Sequence, residues 1–68
     1  MMNHQLSAKE LMYLEDVMNM EAAQTIKYRQ AAQSAIDPQT KSLFSSVAQQ
    51  HQNHFNIFRQ HLQNATGS

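Results

Sequence analysis

Glu21, His51 and His54 are the residues of this chain best placed to do chemistry together. A spacing of i, i+3 sets His51 and His54 one turn apart on the same face of a helix. Glu21 precedes Asp37 by 16 residues, and the two histidines follow it by 14 and 17. If the chain doubles back at Asp37-Pro38, all three fall at nearly one level. Two imidazoles and a carboxylate suit Zn, Fe, Mn or Ni. A dimer would bring two such sets together. The same residues also fit a buried Glu–His pair that fixes helix register, because a lone buried carboxylate is unfavourable. A third outcome has Glu21 tilting out to solvent. Glu15 stands beside the stripe as a reserve ligand; otherwise Glu15 and Asp16 read as solvated charges, and His4 and His61 as surface residues.

Other chemistries find little support. There is no nucleophile beside an activating base, and Gly67, the single glycine, stands at the end of the chain, where it builds no phosphate-cradling loop. Without cysteine, disulfides and thiolate metal sites are excluded. Five Lys and Arg balance five Asp and Glu with no basic stripe, so nucleic acid is not an expected partner. No apolar run approaches the roughly 20 residues of a membrane span, and no signal peptide is visible. The expected setting is therefore cytoplasmic. Tyr28, Met12, Met18 and Met20 read as packing material, with no cofactor pocket and no catalytic residue assigned; Fe or Zn are the metals a Glu21, His51 and His54 site would take. The polar surface is built mainly from Gln and Asn, which suits packing into a dense assembly. A helix pairing that responds to pH through protonation of His51 or His54 is a further expectation.

Two helices must position these groups. Ser7-Ala8-Lys9-Glu10 reads as a capping box, with Leu6 and Leu11 at the staple positions around it. The first helix is expected over about residues 8–35. Asp37 is a favoured N-cap and Pro38 fits the first helical position, while Pro38 also drives the preceding residue out of the helical region. The turn is expected at 36–38 and the second helix over about residues 38–63, with residues 64–68 fraying. A short link between equal helices predicts an all-α, antiparallel two-helix hairpin in a single domain.

Three-four spacing selects Leu11, Leu14, Met18, Glu21, Thr25, Tyr28 and Ala32 on the first helix, flanked by Val17, Ala22, Ala35 and Ile36. On the second it selects Phe44, Ala48, His51, Phe55, Phe58 and Leu62, flanked by Leu43, Val47 and Ile57. Two helices alone cover only part of these stripes, and a phenylalanine gains about 1.5–3 kcal/mol from full burial. The hairpin is therefore expected to form a homodimer, a four-helix bundle, or to dock on another helical protein.

Residues 11 to 62 resemble the ferritin-like superfamily, and most closely its spore coat protein F (Coat F) group. The resemblance rests on Met20-Glu21 in the first helix, Ala35-Ile36-Asp37-Pro38 at the turn, and Ala48-Gln49-Gln50-His51-Gln52-Asn53-His54-Phe55 in the second. It implies a dimeric ferritin-like bundle with a structural role, in contact with coat proteins and in the spore coat. Di-iron members of the superfamily carry one Glu on the first helix and Glu-x-x-His on the second. Glu21 matches the first. If His54 matches the motif histidine, His51 occupies the Glu position; if His51 matches it, Ala48 does. The bridging carboxylate is missing either way, so ferroxidase or peroxidase chemistry is not expected and the protein reads as non-enzymatic.

Overall fold

The structure is a computed structural model that describes residues 6–66. His4 and the terminal Gly67-Ser68 lie outside the described residues. Helix α1 spans Ala8–Ser34 and helix α2 spans Pro38–Ala65, and the two pack side by side as an antiparallel hairpin. The capping box forms as its residues require: the Ser7 amide donates to Glu10 Oε1 at 2.9 Å, and the Glu10 amide donates to Ser7 Oγ at 3.1 Å.

The hinge follows from two side chains. Ala35 leaves α1 in an extended conformation, its amide still bonded to the Ala31 carbonyl. Asp37 then caps α2, accepting from both the amide and the hydroxyl of Thr40 at 2.8 Å each. These two donors hold the Asp37 carboxyl below its ordinary value of 3.8. No basic residue stands in the last turn of α1. Lys41 supplies the missing donor from the other helix, its Nζ bonding the Ala32 carbonyl at 2.6 Å.

Four expected positions differ, and one of them is Leu11 of the α1 stripe, which is exposed at the edge of the contact. Ile36 does not join the buried stripe: it lies past the end of α1, in the turn, and is 96% exposed. Leu43 and Ile57 are likewise exposed, since each points away from the α1 contact. The end of α2 does not fray at residue 64. The helix runs on to Ala65, which is buried and shares a hollow with Leu6 and Leu11, so the staple of α1 gives the last turn of α2 something to pack on.

The contact between the helices is narrow. Leu14, Glu21, Thr25 and Ala32 are buried on α1, and Ala48 and Ala65 on α2. No large side chain among the described residues is fully buried. Phe44, Phe55, Phe58, Leu62, Val17 and Tyr28 are each only half-buried. The molecule measures 51 × 21 × 13 Å, a slab one helix thick. Its accessible surface is 5240 Å². A compact monomer of this mass would expose about 4,400 Å². Neither helix is long and apolar enough to cross a membrane.

Candidate functional site

The hairpin brings Glu21, His51 and His54 together, midway along its length. Glu21 reaches the seam because it repeats, seven residues on, the position of buried Leu14, and precedes buried Thr25 by four. It is only 7% exposed, so it does not tilt out to solvent. The His51 ring N–H donates from Nδ1 to Glu21 Oε1 at 2.5 Å. The His54 Nδ1 lies 3.4 Å from the other carboxylate oxygen. Each oxygen of the buried acid thus faces its own imidazole.

Neighbouring side chains hold the group in place. The Thr25 hydroxyl donates to the Glu21 carbonyl at 2.8 Å, which satisfies a buried polar atom one turn along. Tyr28 stacks on His51 with ring centroids 5.8 Å apart and planes 13° from parallel. Tyr28 also meets Phe44 at 5.8 Å, and His51 meets His54 edge-on at 6.0 Å. Phe44, Tyr28, His51 and His54 therefore form one continuous run of rings. His51 is gripped by Glu21 on one side and Tyr28 on the other. The His54 side chain is 53% exposed and faces outward.

No family model, curated protein or solved structure matches the chain.

What the arrangement can do follows from its side chains. One ligand atom each from Glu21, His51 and His54 lies within 4.8 Å of the others. A four-coordinate ion with bonds near 2.1 Å needs its ligand atoms about 3.4 Å apart. For an ion to enter, His54, the most exposed of the three, must turn inward, and His51 Nδ1 must give up its proton and draw back from its 2.5 Å contact with Glu21. The donors fit a divalent transition ion: two imidazoles, one carboxylate and an open side. Glu15, the reserve ligand, is exposed and lies elsewhere, in a groove with Asp16, Asn19, Met18, Phe55 and Leu62. His61 is exposed and lines a separate groove with Glu10, Tyr13, Val17 and Phe58.

The two broad faces of the slab differ. Tyr13, Val17 and Tyr28 share a row on α1, and Phe44, Val47, His51, His54 and Phe58 share one on α2; together they make an aromatic face, with Lys9 lying over Tyr13 and Lys27 over Tyr28. The opposite face is crossed by polar contacts, with Arg29 donating to Gln52 at 3.3 Å and Lys41 spanning to α1. Glu15, Asp16 and Asn19 rim one of its grooves. Sequence reasoning placed Glu21 and both histidines but treated Tyr28 as plain packing. The signal that could have found its role is its seven-residue offset from Glu21, which puts the ring beside the acid's own partner.

Proposed function

We propose that this chain is a non-enzymatic assembly module that works as a homodimer, two hairpins packing through their aromatic faces to complete a four-helix bundle. The observation that carries this reading is the slab one helix thick, in which no large side chain is fully buried among the described residues. A stable domain packs at least two layers of secondary structure around a core. This chain supplies one. Its surface exceeds that of a compact monomer by about 800 Å², close to what one partner contributes to a standard interface. The aromatic face is rich in Tyr and Phe, as interface centres are, with Lys9 and Lys27 placed over its tyrosines. Resemblance to the Coat F group points the same way, to a bundle built into the coat of a spore.

Light scattering on paired variants tests the proposal. The wild type should have twice the mass of one chain at micromolar concentration, and Phe58→Glu on the aromatic face should abolish that doubling. Ile57→Glu, at a neighbouring position 65% exposed, should leave the dimer intact. A wild type with the mass of a single chain removes the proposal.

A second reading is favoured by one observation, the convergence of Glu21, His51 and His54 within 4.8 Å. On this reading the protein binds a metal, Zn or Fe, at the centre of the same face. Protein without a histidine tag should then gain thermal stability on adding Zn(II), since a ligand that binds only the folded state stabilises it by mass action. No shift with any transition ion counts against it.

A further inference from the structure

Resting on the metal-binding reading, we infer that Glu21, His51 and His54 form a mononuclear site, one borderline divalent cation per chain, and not half of a two-metal centre. Charge decides the nuclearity. A pair of divalent ions sits about 3.5–4 Å apart and is held by carboxylates that bridge the two. This site has one carboxylate, and its two oxygens already face different imidazoles. Among the described residues no second acid joins the group: Glu15 and Asp16 line the groove on the opposite face. Two copies meeting through the aromatic face would bring two carboxylates in total to one pair of ions, against the four of a di-iron bundle, and neither is free to bridge.

One ion is well served. Glu21 supplies the negative charge from a buried position, and His51 is preset by the Tyr28 stack. His54 closes from the solvent side, where its 53% exposure leaves room to turn. Three protein ligands leave a fourth position open for water or a small anion, as in zinc sites that exchange a ligand. Imidazole with a carboxylate favours borderline ions, and affinity should rise from Co(II) to Cu(II) in the usual order for such donors.

Titration of untagged protein with Cu(II), followed by calorimetry and electron paramagnetic resonance, tests this. The expected result is one ion per chain, with a single uncoupled Cu(II) signal accounting for all bound copper. His54→Ala, which removes the most exposed of the three ligands together with its 3.4 Å contact to Glu21, should weaken binding at least about tenfold. Glu21→Gln should do the same, with its helicity checked by circular dichroism, and His61→Ala should leave affinity unchanged. Two ions per chain, or a spin-coupled pair, would overturn the mononuclear inference while leaving metal binding in place. Affinity unchanged in His54→Ala overturns the assignment of the ligands. Absence of any binding removes both the inference and the metal reading, and leaves the dimer proposal standing.

Discussion

An acid as enclosed as Glu21 would destabilise the hairpin by several kcal/mol if it stood alone. Its surroundings answer that oxygen by oxygen, with His51 on one and His54 near the other, while the Thr25 hydroxyl bonds the backbone carbonyl of the same residue. Among the described residues no buried side-chain nitrogen or oxygen lacks a partner. This much was legible in the sequence, because counting outward from Asp37 fixes which residues of an antiparallel pair share a level. The stack of Tyr28 on His51 was not, since an aromatic on a helical stripe has many packing outcomes and only the crossing of the helices selects one. Asp37 gives the clearest pH dependence. Thr40 lowers its pKa from 3.8, so its contribution is fully present above that value and is lost as pH falls through the folded value. Asp37→Asn, which caps a helix about as well, should melt near the wild-type temperature at neutral pH and lose less stability than the wild type between pH 5 and pH 2. Parallel acid melting curves for the two proteins would remove Asp37 from this role.

At the scale of the elements, helix starts were easier to read than helix ends. Ser7 and Asp37 cap with their own side chains, so a short stretch of sequence names them. The end of α1 is different. It has neither a glycine nor a basic residue of its own, and its free carbonyl at Ala32 is met by Lys41 from the neighbouring helix. The end of α2 likewise depends on the other helix, where Leu6 and Leu11 shelter Ala65. Both ends are tertiary features. Lys41→Met keeps the length of the side chain and removes the donor, and it should lower stability by about 1 kcal/mol. Hydrogen exchange should locate the loss in the last turn of α1, whose amides should exchange faster while those around Glu21 stay protected. Uniform acceleration along both helices would mean that Lys41 acts through general packing.

At the scale of the whole molecule, the half-covered aromatics matter most. Leu11, Tyr13, Met20 and Leu43 are exposed, and Phe44, Val47 and Phe58 are only half-covered. The radius of gyration is 15.4 Å, against about 11 Å for a compact domain of this length. Such a slab gains most by acquiring a second layer, and a bundle of two hairpins would cover the rings from Phe44 to Phe58 at once. The rings' periodicity was visible in the sequence; which broad face they occupy depended on the crossing of the helices. If folding and pairing are one event, stability must depend on protein concentration. Thermal unfolding from low to high micromolar concentration, followed by circular dichroism, tests this most directly. A midpoint that climbs steadily with concentration is the expected result. A cooperative midpoint that stays fixed across the range would mean that one hairpin is stable by itself and needs no second copy.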